Sequence, residues 1–405
     1  MSRVVVTGVG WVGSHGAGRD ALTAALAAGQ PATVEVDRSA GHHRPSGARL
    51  AALVPAESLA PLVPAAAARR MSYPSRLAVA AMRLAFADAG LDEKSSPFDA
   101  TGIVMATAFG PVRITEQMLD AILHRGPDQA SPFHFTESVA SAPASQMALA
   151  CKALGPNVTI TQREAGPLLA LAEGARLVVT GRVGRALVGS VEEMSPLLHA
   201  LLDRFRALAL PEPDGRERPR PFDRDRTGLL AAEGATVLVL ESDSTAAARG
   251  ARPLAVVDAA WGGFDPSAPP LSWGQGIAPL AEGLARGLAR HGIDTASLDR
   301  IVSGASGARR GDRLEAAVLH RALGETLPPV LAPKGTTGEF SGGALAAAVL
   351  ALDGKADWPT AGFANADPAL GLAPHDGSAL APARRILASS LASGGSAAWA
   401  VLSRP

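Results

Sequence analysis

One cysteine and one tyrosine stand in a chain of 405 residues, and aromatics make up only 4% of it. The single thiol, Cys151, excludes an internal disulfide framework and a cysteine-rich metal site. Net charge is missing as well, since 38 Lys and Arg balance 38 Asp and Glu. The basic footprint that nucleic acid or an anionic membrane requires is therefore absent, and neither is expected as a partner. No apolar run lasts long enough to span a bilayer before Gly, Pro or charge breaks it. The opening MSRVVVTGVGW enters a strand-like run at once, with no charged leader, apolar stretch and small-residue cleavage site. A cytoplasmic protein is the expectation. The nine histidines are scattered, His42-His43 being the one adjacent pair, and none has metal-ligand spacing, so no metal site is expected.

Apolar residues, by contrast, reach 47% against 19% charged, which suits a well-buried globular protein too long for one minimal core. Strand-like and helical patterns alternate, arguing for an α/β protein. Strands are expected at Arg3–Val9, Gly102–Ala106, Ala186–Val188 and Thr236–Leu240. Helices are expected at Arg19–Ala28, Ser75–Ala89, Ile114–Leu123 and Ala144–Leu154. TITQREAGPLLALAEGARLVVTG, residues 159–181, reads as strand, sharp turn and helix, and its tip is Arg163-Glu164-Ala165-Gly166. After Glu241 the pattern starts again: RPLAVVDAAWGG at 252–263 echoes SRVVVTGVGWVG at 2–13, and AAWAVLSR at 397–404 echoes ATVLVLES at 235–242. Two similar halves, 1–250 and 251–405, are expected. The Pro- and charge-rich Pro211–Arg226 is expected to be an exposed loop.

Three motifs offer chemistry. GVGWVG at 8–13 satisfies G-x-G-x-x-G after a strand, and Asp37 in TVEVD could meet a ribose. That would make an NAD(P)-dependent oxidoreductase using Gly8, Gly10, Gly13 and Asp37. Against it, Trp11 places a bulky ring where pyrophosphate would approach the backbone, and packing is the favoured reading. Cys151, in QMALACKAL, lies on an apolar helix and reads as a buried small hydrophobe. Ser306 in SGASGAR lacks the register of a nucleophile elbow.

Glycine-dense turns follow at GASGARRGDRLEA (304–316), PKGTTGEFSGGALAAA (333–348) and SLASGGSAAWAVL (390–402). With RPFDRDRTGLLAAEGATVLVLE (220–241), GSVEEMSP (189–196) and RRMSYPSRLAVAAMRLAFADAGL (69–91), these segments resemble the β-ketoacyl synthase family over nearly the whole chain. Asp223, Arg226 and Glu233 match family positions, as do Lys334 and the glycine pair Gly394-Gly395. The resemblance implies a thiolase-like α/β fold, two similar halves in a five-layer αβαβα sandwich, and a dimer.

An active family member carries one catalytic cysteine and two histidines. By resemblance those places hold Glu164, Gly304 and Glu339 here, and a phenylalanine before the C-terminal glycine pair is replaced by Ser393. A carboxylate is a poor nucleophile towards a thioester, and Gly304 offers no proton relay. The pattern of loss resembles the chain-length factors, or ketosynthase β subunits, of type II polyketide synthases. ATAFGPV at 106–112 and SPFHFTESVASAPASQ at 131–146 look nearer to the polyene systems. The resemblance then implies a non-catalytic partner of an active ketosynthase α subunit, shaping the tunnel for a growing polyketide or polyene chain. No cofactor of its own is implied, because such chains ride on the phosphopantetheine of an acyl carrier protein, a second partner. Gly110, Ile114 and Met118 are implied at the subunit interface and tunnel. Glu164 is expected to lock the turn by accepting helix N–H groups, ionised and paired with Arg163. A homodimeric thiolase-fold enzyme with rearranged catalytic groups is the remaining alternative.

Overall fold

The computed structural model describes residues 3–39, 42–93, 98–353 and 356–405. Ser2, the first residue of the 2–13 echo, lies outside them. The main strands of the first part are β1 (Val4–Gly13), β2 (Thr101–Thr107), β3 (Asn157–Thr161), β4 (Arg185–Glu192) and β5 (Gly234–Ser242). Those of the second are β6 (Ala255–Phe264), β7 (Arg300–Ser303), β8 (Val330–Leu331), β9 (Arg385–Leu391) and β10 (Ser396–Ser403). One path joins them in the order β8-β7-β9-β10-β6-β1-β5-β4-β2-β3, with the short strand Gly16–Ala17 paired to β1.

Outward from the centre, the two runs have the same plan. β1 pairs antiparallel with β5 and β6 with β10; β5 pairs antiparallel with β4 and β10 with β9. The outer pairings β4–β2–β3 and β9–β7–β8 are all parallel. The runs meet where Val4–Val6 pairs antiparallel with Val257–Ala255. Each echoed segment in the sequence is thus the same strand of its own run: β1 with β6, and β5 with β10.

The helices used below are α1 (Arg19–Ala28), α2 (Tyr73–Ala89), α3 (Val112–Arg125), α4 (Pro132–Ser138), α5 (Ala142–Cys151), α6 (Gly166–Val179), α7 (Ile277–Arg290), α8 (Arg309–Leu323) and α9 (Gly343–Leu350). Both faces of each sheet run are covered, which is why the strands read as continuous apolar runs and not as alternating ones. α2 and α5 bury one face of the first run around Leu77, Met82, Met147 and Ile103. α6 and α9 fill the space between the two runs, contributing Leu171, Leu177, Leu345 and Val349. α7 and α8 cover the far side, packing Leu284 and Val318 in one cluster with Trp399 of β10. Helix, sheet, helix, sheet, helix is the five-layer arrangement that the resemblance implies.

Several expectations need correction. GVGWVG does not form a strand–turn–helix phosphate loop; it lies wholly inside β1 and is buried throughout. A Cβ on Gly8 would sit 2.3 Å from Ala85 O, and one on Gly10 would sit 1.9 Å from Ala81 O. On Gly13 it would meet the Trp11 ring at 2.1 Å. Gly8 and Gly10 let α2 press onto β1, Gly13 leaves room for the Trp11 ring, and Asp37 is an exposed residue accepting from Ser39 N. The dinucleotide reading is withdrawn on that geometry. The segment 211–226 is irregular, yet its inner part is not exposed: Glu217, Phe222, Asp223 and Arg226 are buried. Its charges are also spent internally. Arg218 pairs with Glu212 and Asp214, Arg220 pairs with Glu212, and Arg226 reaches Asp367 at 2.8 Å. The helix expected to end at Leu154 stops at Cys151, where Lys152 takes a left-handed conformation.

Candidate functional site

β3 ends at Thr161 and α6 begins at Gly166, so the intervening turn holds Glu164 at the mouth of a central helix. The glycine turn after β7 brings Gly304 to the same place, and the segment after the short helix Lys334–Thr337 brings Glu339. All three line one cavity of about 40 Å³, together with Lys334, Ser389 and Ser390. Three places separated widely in the chain therefore converge, and none of the described residues around them is a cysteine or a histidine. Cys151 is elsewhere, at the end of α5, where burial pushes its thiol up to about 11.

The chemistry inside the cavity is that of a crowded acid. Lys334 Nζ lies 2.6 Å from Glu339 Oε1, and both residues are almost wholly buried. Burial pushes the Glu164 carboxyl up to about 7; nearby Glu339 adds to the rise, while Lys334 and Arg163 oppose it. Burial and the second carboxylate outweigh the two nearby cations, so Glu164 holds its proton to a higher pH than a free carboxyl does.

The expected lock exists, but its parts differ. The Glu164 carboxylate accepts from Ser393 N at 3.2 Å and from Ser393 Oγ at 3.0 Å. It does not pair with Arg163. That guanidinium donates to Ser393 Oγ at 2.8 Å and to the Pro270 carbonyl. Ser390 Oγ donates to the Glu164 carbonyl at 2.7 Å. The expectation of an ionised carboxylate held by helix N–H groups is corrected accordingly: desolvation outweighs the helix dipole at this depth. Ser393 was the partner that the turn alone did not reveal. Its signal was the exchange of a bulky position for a hydroxyl opposite a carboxylate.

Gly304 is closed to any side chain. A Cβ there would lie 2.8 Å from Ser390 Oγ and 3.0 Å from the Ser389 carbonyl. Its turn is held from α8: Glu315 accepts from Gly304 N, and Asp312 accepts from Ser306 N and Gly307 N. Burial raises Glu315 to about 7 and Asp312 to about 6.

The other matched positions lie outside the cavity and tie loops together. Asp223 accepts from Asp225 N, Ala364 N and Asn365 N at 2.7, 2.7 and 2.6 Å. Glu233 accepts from Val54 N, Tyr73 Oη and Met194 N. Gly394 and Gly395 turn the chain between β9 and β10 with φ of 90° and 95°, which glycine adopts without strain. Gly110 also has positive φ, 67°, at the entry to α3. Ile114 is buried and Met118 half-buried on one face of α3, and neither lines the cavity at Glu164.

A second cleft, of about 680 Å³, is lined by Arg163, Glu164 and Ser393 together with Phe205, Trp273 and Arg310. Among the described residues no helix is long and apolar enough to cross a membrane, and no group of side chains is arranged to hold a metal ion.

Comparison with known proteins agrees with this architecture. The model of the β-ketoacyl synthase N-terminal domain matches residues 1–246. The putative polyketide β-ketoacyl synthase 2 of Streptomyces halstedii is 30% identical over 370 residues, which cover 88% of this chain and 87% of that protein. 3-Oxoacyl-[acyl-carrier-protein] synthase 2 of Synechocystis is 33% identical over 187 residues, 46% of this chain and 45% of that protein. Among solved structures, the ishigamide ketosynthase/chain length factor superposes with a TM-score of 0.89 at 28% identity, covering 100% of this chain and 99% of that one. A type II polyketide synthase ketosynthase in complex with its acyl-carrier protein shares the fold, with a TM-score of 0.86 at 22% identity and full coverage of both chains. With a thiolase-like fold, a matched family model over more than half its length and full-length relatives, this chain belongs to the β-ketoacyl synthase family.

Proposed function

We propose that this chain is a non-catalytic chain-length factor, the partner of an active ketosynthase in a type II polyketide or polyene system. The observation that carries the reading is the convergence of Glu164, Gly304 and Glu339 in one cavity whose lining has neither thiol nor imidazole. Acyl transfer needs an activated nucleophile within reach of a base. Here a carboxyl occupies that place, its oxygens are taken up by Ser393, and the adjacent amine is committed to Glu339.

A second feature favours a partner. β3 is the last strand of the sheet path, and its outer edge is half exposed. In the connection that leads to it, α3, α4, α5 and the link after Cys151 leave Leu123, Phe135, Leu149 and Leu154 uncovered, Leu123 at 77% and Leu154 at 79% exposure. An open strand edge beside scattered large apolar side chains suits a large obligate interface. The occupant we assign is a ketosynthase α subunit, with Ile114 and Met118 capping the tunnel formed between the two. The growing chain reaches the complex on the phosphopantetheine arm of an acyl carrier protein. Within the chain, we divide the scaffold into 1–250 and 251–405.

Co-expression with a ketosynthase encoded beside it tests this reading. A one-to-one complex is expected, with malonyl or acyl groups from carrier protein found covalently on the ketosynthase by intact mass and none on this chain. A stable homodimer of this chain that becomes acylated, or decarboxylates malonyl-carrier protein alone, would replace the reading with a self-sufficient enzyme.

A further inference from the structure

The turn between β2 and α3 is held by carboxylates that come from the far end of β4, some eighty residues later in the chain. α3 has no side-chain cap of its own, its first flanking residue being Pro111. The exposed N–H groups of its first turn therefore need an acceptor from elsewhere. Glu193 supplies it. Its Oε1 accepts from Arg113 N at 2.8 Å, and its Oε2 lies 3.6 Å from Arg113 Nε. Arg113 Nη2 then donates to the Met194 carbonyl at 3.2 Å, and the guanidinium lies over the Tyr73 ring at 5.5 Å. The neighbouring Glu192 holds the approach to the helix, accepting from Thr107 Oγ1 at 2.8 Å, from Ala108 N, and from Phe109 N at 3.3 Å. Glu233 fixes the other side of this frame, binding Tyr73 Oη at 2.7 Å and Met194 N at 3.1 Å.

These contacts set both the height and the rotation of the first turn of α3. Ile114 follows Arg113 directly, and Met118 lies one turn further on the same face. The far end of α3 is more exposed, at Leu123 and Arg125. The end that is fastened is thus the end that carries the two side chains.

We infer that Glu193, acting with Arg113, is a positioning residue for product length: it sets how far Ile114 and Met118 project from the entry of α3. The inference rests on the chain-length reading above. Glu193 touches neither cavity nor substrate; it works through the helix it caps.

The experiment uses the complex with its ketosynthase and reads product length by mass spectrometry. Glu193→Ala removes acceptor and charge, Glu193→Gln keeps an acceptor oxygen, and Arg113→Met removes the half-exposed cation. Glu193→Ala is expected to shift the main product by at least one extension unit or to broaden its distribution, with complex recovery unchanged. Glu193→Gln should shift it less. A merely structural role would lower recovery or stability and leave the product distribution where it was, and that result overturns the inference. Should Glu193→Ala fail to fold, Arg113→Met and Glu193→Gln decide: an unshifted distribution in both overturns the proposal. Ile114→Ala and Met118→Ala, run alongside, separate the two ideas. If neither changes product length, the capping reading itself has failed; if they do while the Glu193 and Arg113 variants do not, only the positioning role has.

Discussion

The two five-strand runs share order and direction, yet they differ in what joins their second strand to their third. In the second run that connection, residues 304–329, contains α8 and packs against its own half. In the first run it extends from 108 to 156 and contains α3, α4 and α5. The compact connection buries Leu314, Val318 and Leu319, whereas the long one leaves Leu119, Leu123, Phe135 and Leu149 in the open. Same scaffold, different outer surface: on the reading proposed above, the elaborated connection is the one that meets the partner subunit. A sheet whose outermost strand stays unpaired is ordinarily a liability, and covering it with a partner removes that liability.

The largest expected effect breaks the comparison at this point. Leu123→Asp combined with Leu154→Asp places charge in the apolar surface around β3, and should lower recovery of the ketosynthase complex roughly tenfold or more, since interface anchors are worth about 2 kcal/mol each. Arg321→Glu, on the exposed side of α8 in the compact connection, should leave recovery unchanged in the same pull-down. Equal losses from both would show that the two connections are not functionally distinct.

A smaller effect compares the central strands. Gly10→Ala drives a methyl to 1.9 Å from the Ala81 carbonyl, a rigid helix backbone, and should cost about 2 kcal/mol in urea denaturation. Gly262→Ala in β6 meets Leu169 Cδ2 at 3.0 Å, a side-chain tip that can turn away, and should stay within about 0.5 kcal/mol. Similar losses at both positions would mean that the two strands are equally confined.

The smallest effect is read by pH. Folding raises the Glu164 carboxyl from its ordinary 4.5 to about 7, so the folded chain binds a proton that the unfolded chain releases across that window. The Glu164 contribution to stability therefore falls as pH rises from 4.5 to 7 and levels off above it. Glu192 at about 8 and Glu193 at about 7 add to the same fall in any variant that keeps them. In thermal melts the Glu164→Gln curve should be flatter than the wild-type curve over this range, and the variant should gain relative stability above pH 7. Parallel curves would show that Glu164 is not held in its acid form.

Much of this was legible in the residues, for reasons that differ by region. The repeated strand–Trp–Gly text marked β1 and β6 because both are central strands covered on two faces, and the closing apolar runs marked β5 and β10 for the same reason. Glu164, Gly304 and Glu339 could be grouped only through the resemblance to the β-ketoacyl synthase family, whose three catalytic places they occupy. The errors arose where a local pattern is compatible with more than one set of partners. GVGWVG has the spelling of a phosphate loop because close helix packing and close phosphate approach both demand missing side chains. The 211–226 segment looked solvated because its charges could not be matched by eye to Asp367 or to their own neighbours Glu212 and Asp214. Ser393 lies 229 residues from Glu164, and no local pattern connects a turn hydroxyl to a carboxyl across that distance.

The closed space at Gly304 limits what chemistry can be introduced there. A base at that place would need room now held by Ser390 and the Ser389 carbonyl, and the Ser390 hydroxyl is itself engaged with the Glu164 carbonyl. Exchanging this one residue cannot place a base there; the surrounding hydroxyls would have to move first, loosening the turn that carries Glu164. Any attempt to install proton-transfer chemistry at this position therefore has to redesign the Ser389-Ser390 strand end together with it.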